Sequence, residues 1–215
     1  MKLARIALAC LAVLMAATAA SAGNKGANLF ALQLTNGTAD LYERYDNDFI
    51  SAYDHSELGV QLQGWHFVSD DYAVTLSLGT GFFSETDKPG NGAAPGTTDF
   101  KYSQSSWNVR LGGDRVFQLS ERGLIYVGPG VEFWSGKAKF AGGSGAFPNY
   151  ETSNVTRIGV EGRLGGMEKL TESIALTGHI GHRIGMASAT DAGRKASWWP
   201  SSFDGAGGIV FGFGH

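Results

Sequence analysis

The sequence predicts an all-β fold: an eight-stranded antiparallel up-and-down transmembrane β-barrel with its apolar side chains on the outside. Three observations predict it. Two-residue alternation dominates and helical spacing is scarce. Long and short connections alternate along the chain. Charged residues form only 17% of the 215 residues, beside 32 glycines and 12% aromatics, against roughly 25% charge in an ordinary soluble protein. Composition also excludes. After the N-terminal segment no run reaches the about 18 apolar residues of a spanning helix. A formal charge of −3 argues against a nucleic-acid partner, which calls for a basic surface. Hydrophobic residues at 43% exclude a disordered chain.

The first 22 residues read as a cleaved signal peptide. Lys2 and Arg5 supply a basic start, Ile6 to Ala17 an apolar stretch, and Ala20-Ser21-Ala22 a small-x-small cleavage site before Gly23. Cys10, the one cysteine, lies in the middle of that apolar stretch and reads as filler in a discarded peptide. Cleavage leaves a single barrel domain over 23–215, without cysteine, at a formal charge of −5 once Lys2 and Arg5 are gone. An exported chain of this kind has no disulfides and is held by burial and hydrogen bonding.

The strands follow in order. Asn28–Thr35 comes first. Glu57–Val68 comes second, and its pattern breaks at Gly64, where Trp65 and Phe67 move to the polar parity, so a bulge is expected there. Tyr72–Phe83 alternates most clearly: Tyr72, Val74, Leu76, Leu78 and Phe82 oppose Ala73, Thr75, Ser77, Gly79 and Gly81. Ser103–Gly113 is the fourth. From Leu124, Ile125, Val127, Val131 and Phe133 oppose Tyr126, Gly128, Gly130, Glu132 and Trp134. Near Val155, Ile158, Val160 and Leu164 oppose Arg157, Glu161 and Arg163; from Ser173, Ile174, Leu176, Ile180 and Ile184 oppose Thr177, His179 and Arg183. Gly205–Phe213 completes eight.

The connections at 36–56, 84–102, 135–153 and 188–204 are long and rich in Gly, Ser, Asp and Pro; those at 69–71, 114–123 and 168–172 are short. Strict alternation puts every long loop at one end and both termini at the other, the pattern of a membrane barrel with short inner turns and long outer loops. A soluble lipocalin-like barrel would put Ile, Val and Leu inside. Apolar-out is favoured by the low charge, by polar faces rich in Gly, Ala and Ser that suit a narrow lumen, and by lysines confined mainly to loops. Ile209, Phe211 and Phe213 alternate up to the C-terminus, like the aromatic signal read by the outer-membrane assembly machinery, although Gly214 and His215 follow the last Phe.

With the signal peptide, that terminal pattern and the strand Tyr126-Val127-Gly128-Pro129-Gly130-Val131, the chain resembles the small eight-stranded outer-membrane barrels of the opacity and OmpA/OmpX-like group. The resemblance implies a plugged barrel, an outer-membrane location, contact with outer-membrane lipid or lipopolysaccharide and with the assembly machinery, and variable surface loops. It implies no single activity, because function is grafted onto this scaffold.

The polar parities place Glu57, Arg110, Glu132, Arg157, Glu161, Arg163 and Arg183 inside, with Gln33, Gln61, Gln63, Asn108, Tyr126 and His179. Buried charges must pair, and Glu132 and Arg157 are expected neighbours. Such a cluster reads as a structural network filling a closed lumen; the other reading is a narrow channel. Lipid A hydrolases also occur on this scaffold, but neither His179 nor His182 has a serine two positions on. The acidic first loop, with Asp46-Asn47-Asp48, lacks the glycine and closing glutamate of a calcium loop. No catalytic, metal or cofactor site is expected. Trp198 and Trp199, placed in the last long loop, are candidates either for contact with a surface protein or host ligand or for the aromatic belt at the headgroups.

Overall fold

A sheet with one oily and one polar face removes its edges only by closing on itself, and this chain does so. The computed structural model describes residues 25–39, 55–87, 99–142, 150–151, 154–191 and 194–212. Its strands are β1 (Asn28–Ala39), β2 (His55–Ser69), β3 (Tyr72–Asp87), β4 (Phe100–Gln118), β5 (Gly123–Gly142), β6 (Tyr150–Glu151), β7 (Val155–Lys169), β8 (Ile174–Asp191), β9 (Arg194–Trp198) and β10 (Ser201–Phe211). Each barrel strand pairs antiparallel with the next, and β10 pairs with both β8 and β1, which closes the ring. The short β6 and β9 extend the outer ends of hairpins, on β5 and β8. Eight staves result, the number expected.

Phe30 pairs on one side with Phe211. Followed the other way round, its row passes Gly64, Leu76, Leu111, Val131, Val160 and Ile184 and arrives at Ser201. That is ten residues along β10 from its start, 201 against 211. Such a stagger over eight strands tilts them by roughly 40°. At 3.3 Å per residue, the 20 residues of β5 then rise roughly 50 Å, about twice the height of an apolar membrane band. The outer parts of the hairpins stand clear of that band.

Side chains sort as the alternation requires. Leu34, Val74, Leu78, Val131, Val160 and Ile180 are among the exposed apolar residues of the exterior, whereas Arg110, Arg157, Arg163, Asp114, Glu132 and Glu161 are at most 6% exposed inside. An aqueous exterior would reverse this distribution, since charge is costly to bury and apolar area costly to expose.

Three local expectations are corrected. No bulge interrupts Gly64: the β1–β2 register runs unbroken from Asn28 opposite His66 to Ala39 opposite His55. Trp65 and Phe67 are simply inside, at 2% and 1% exposure, and fill the inner end of the lumen. The register of β2 on β3 shifts only between Phe67 and Ser69, beside the turn. The connection at 114–123 shrinks to 119–122, because β4 continues to Gln118. The connection at 188–204 is not a long loop, for β8 reaches Asp191, which pairs with Arg194 across residues 192 and 193. Trp198 ends β9, and Trp199 lies with Pro200 in the two-residue step between β9 and β10, so neither belongs to a long loop. Pro200 offers no N–H and interrupts the ladder, yet Gly185 N still donates to Pro200 O at 3.2 Å, and the register is the same on both sides. Strand above the apolar band faces water, so its Ser, Lys and Gly look like a loop.

Candidate functional site

The lumen is built in storeys. At the inner end the inward positions are apolar: Leu29, Trp65, Phe67, Leu124, Tyr126 and Met167 are all buried and form one cluster. Trp65 and Tyr126 meet edge to face, with centroids 5.8 Å apart. Tyr126 keeps its hydroxyl 3.3 Å from Thr177 Oγ1, whose own hydroxyl donates to Gly166 O at 3.0 Å. This floor closes the barrel toward the end that carries the termini.

Directly above lies Asp114, fully buried on β4. Arg163 Nε and Nη2 donate to its two oxygens at 3.1 and 2.5 Å, and Trp65 Nε1 donates to Oδ2 at 3.0 Å. The Arg163 guanidinium also faces the rings of Tyr126 and Trp65, at 5.4 and 5.9 Å. A forked cation held by both carboxylate oxygens and two aromatic faces is one of the few ways to bury such charge without leaving most donors idle. On the next level Arg110 Nε lies 3.2 Å from Glu161 Oε2, and Arg110 Nη1 donates to Thr75 Oγ1 at 3.2 Å. A glutamine group sits alongside, with Gln61 Nε2 donating to Gln33 Oε1 and Gln63 Oε1.

The upper level centres on Glu132. Arg157 Nη2 donates to Oε2 at 2.9 Å, Arg183 Nη1 to Oε1 at 3.0 Å, and Asn108 Nδ2 to Oε1 at 2.8 Å. Arg183 Nη2 also pairs with Asp204 Oδ2 at 3.3 Å. Arg157 lies over the Trp134 ring, 5.3 Å from its centroid. Among the described residues the ion-paired lumen therefore contains Arg110, Arg157, Arg163 and Arg183 against Asp114, Glu132, Glu161 and Asp204, and its charge balances.

Sequence reasoning missed two of those acids, because it placed 114–123 and 188–204 in connections. Parity was the available signal: Asp114 continues Arg110 and Gly112, and Asp204 continues Ala206 and Gly208. The side chain of Glu57 lies outside the described residues, although its backbone pairs with Gly37.

The glycines of the polar parity have a steric reason. A Cβ on Gly130 would strike the Arg110 guanidinium at 2.5 Å, one on Gly165 would run into the Tyr126 ring, and one on Gly136 would meet Trp134 at 2.5 Å. Each of these large inward side chains lies flat over an inward glycine, which is how so narrow a barrel accommodates arginine and tryptophan. Between these side chains lies a cavity of about 50 Å3 lined in part by Asn108, Arg110, Glu161, His179, Arg183 and Asp204. That is room for a few waters. Among the described residues, the aromatic floor closes the lumen below it.

Of the remaining sequence candidates, those whose side chains are described are exposed. Trp199 is 73% exposed; the side chain of Trp198 is not among those described. Ile209 and Phe211 are exposed on the outer face of β10, and Phe213 lies beyond the described residues, as does the segment 1–22. Two residues that sequence spacing did not connect come together on that outer face. His182 Nε2 and Ser201 Oγ lie 2.9 Å apart, from neighbouring strands, and Phe203 packs on the imidazole at 4.5 Å. No hydrogen bond joins this pair to a carboxylate among the described residues.

No family model matches the sequence, and no curated protein matches it. Solved structures do resemble the fold. A major outer membrane protein from Thermus thermophilus superposes with a TM-score of 0.50 at 13% identity, covering 86% of this chain and 99% of that one. The outer membrane protein OprG from Pseudomonas aeruginosa gives 0.46 at 12% identity, over 91% of this chain and 100% of that one. Ail, the attachment invasion locus protein of Yersinia pestis, solved with the heparin analogue sucrose octasulfate, gives 0.43 at 14%, over 86% and 99%.

Proposed function

We propose that this chain, which has the fold of the small eight-stranded outer-membrane barrels, is an exported outer-membrane protein with a sealed lumen. It works as a structural element of the envelope and as a surface for contact through its outer hairpins. One observation carries the reading: four arginines and four acids are paired inside while Leu, Val, Ile and Phe dominate the outside. That exterior is matched to acyl chains, and an aromatic floor beneath balanced ion pairs blocks a path through the lumen. The barrel is expected to meet lipopolysaccharide and phospholipid around its girdle and the assembly machinery through its last strand. A surface protein or host ligand would meet the parts of the hairpins that stand above the band.

The experiment has three readouts. Mass spectrometry of the purified protein should give a mature chain beginning at Gly23. Fractionation should recover it from outer membranes, with unboiled protein migrating differently from boiled protein in SDS. Planar bilayers should give no sustained single-channel current. A freely soluble periplasmic monomer, or a clear open channel, would refute the reading.

A second reading, membrane-embedded acyl hydrolysis, has one observation in its favour: the Ser201–His182 contact at 2.9 Å on the lipid-facing side. A base within reach of a hydroxyl is the first requirement of a serine nucleophile. The pair has no orienting carboxylate among the described residues, and strand N–H groups committed to the ladder make poor oxyanion donors. Unchanged lipid A mass spectra after Ser201→Ala would eliminate it.

A further inference from the structure

We propose that Glu161, His179 and Asp204 form an intralumenal site for one divalent transition cation of the zinc class. The three side chains come from the neighbouring strands β7, β8 and β10, and one ligand atom from each lies within 4.8 Å of the others. An imidazole nitrogen with two carboxylate oxygens suits zinc-like ions better than magnesium or calcium, which prefer oxygen alone.

The ion pairs around them leave the right atoms free. Glu161 turns Oε2 to Arg110, and Asp204 turns Oδ2 to Arg183. Their other oxygens face Gly181, where a Cβ would come within 3.1 Å of Glu161 Oε1 and 2.6 Å of Asp204 Oδ1. A glycine keeps that space open. His179, only 6% exposed, borders the same cavity, and its Nδ1 has no hydrogen-bond partner. Asp204 Oδ1 has none either. Buried polar atoms without partners are rare and point to a missing group. An imidazole nitrogen and a carboxylate oxygen without partners, beside a second carboxylate on the same cavity, call for something positive, or a donor, between them.

A tetrahedral ion holds such ligand atoms about 3.4 Å apart, so binding requires the three side chains to draw together. Arg110, Arg163 and Arg183 line the same cavity and oppose a dication, so binding is expected to be weaker than at a four-ligand structural zinc site. In the opposite direction, the low dielectric of the lumen strengthens each carboxylate contact. The arginines would act as the outer shell that orients the two acids.

The test uses the whole mature protein, folded in detergent and stripped with a chelator. Calorimetric titration with ZnCl2 should give one saturable equivalent, and X-ray absorption at the zinc edge should give a first shell of nitrogen and oxygen. His179→Gln and Asp204→Asn should each weaken binding at least tenfold while retaining heat-modifiable migration, whereas His66→Gln, at the outer surface, should leave it unchanged. If His179→Gln fails to fold, Asp204→Asn carries the comparison. Absence of a saturable equivalent would leave a shared proton or trapped water at this point and overturn the proposal. Binding abolished by His66→Gln but retained by Asp204→Asn would overturn it too.

Discussion

Replacing Asp114 by alanine tests the sealed lumen most directly. The side chain is fully buried, accepts both nitrogens of the Arg163 fork and takes the Trp65 indole N–H. Asp114→Ala leaves a buried guanidinium without its counter-ion, which costs about 3–5 kcal/mol. An unsatisfied indole N–H adds about 1–3 kcal/mol. These terms overlap, because Arg163 retains its two aromatic faces, so a loss of about 4 kcal/mol is expected. That is roughly a thousandfold in the folding equilibrium. The double variant Asp114→Leu/Arg163→Met removes both charges and fills the space with apolar atoms, and it should recover at least about 2 kcal/mol of the loss. The single variants Asp114→Leu and Arg163→Met complete a cycle with that double, and unfolding by urea in lipid vesicles, followed by tryptophan fluorescence and by migration in SDS, measures all four corners. A single variant within about 1 kcal/mol of the parent, or a double variant as unstable as the sum of the singles, would show that the pair is hydrated and the lumen is not sealed at this level.

Other expectations use the same assay. Gly165→Ala drives a Cβ into the Tyr126 ring and should cost about 1–3 kcal/mol, whereas Gly162→Ala, with nothing within 4 Å of its Cβ, should be close to neutral. Arginine in place of the exposed, outward-facing Leu78 should cost about 2–4 kcal/mol in a bilayer, and a cost near zero would mean that the face meets water. Glu132→Gln weakens the hold on Arg157 and Arg183 together and should lower stability by about 2–4 kcal/mol, read from the urea midpoint.

Much of the architecture is a local property of the chain. Strand side chains alternate faces, so Val74, Leu76 and Leu78 fall on one side of a sheet and Thr75 and Ser77 on the other whatever the strand pairs with. Parity likewise puts Arg110, Glu132, Arg157, Glu161, Arg163 and Arg183 on the polar face, and in the structure all six are largely buried. It failed where polarity was mistaken for a turn. Asp114 and Asp204 sit in segments whose Gly, Ser, Asp and Pro resemble loops, although a strand emerging into water has the same composition. Gly64 misled in the opposite way, since a floor of Trp65 and Phe67 looks like a slip of register when polar side chains are expected inside.

Strand count and the two faces of each strand are written into the linear chain, because they follow from a two-residue period, and the low charge and small polar faces point the apolar side outward. Which side chains meet is settled only when the ring closes. The ten-residue stagger brings Asp114 of β4 to Arg163 of β7, and Glu132 of β5 to Arg183 of β8, across the lumen between strands that share no ladder. The contact of His182 with Ser201, by contrast, is set within one hairpin, by the register of β8 on β10. Alternation specifies a face but not a height on it, and height depends on the register of every strand around the ring.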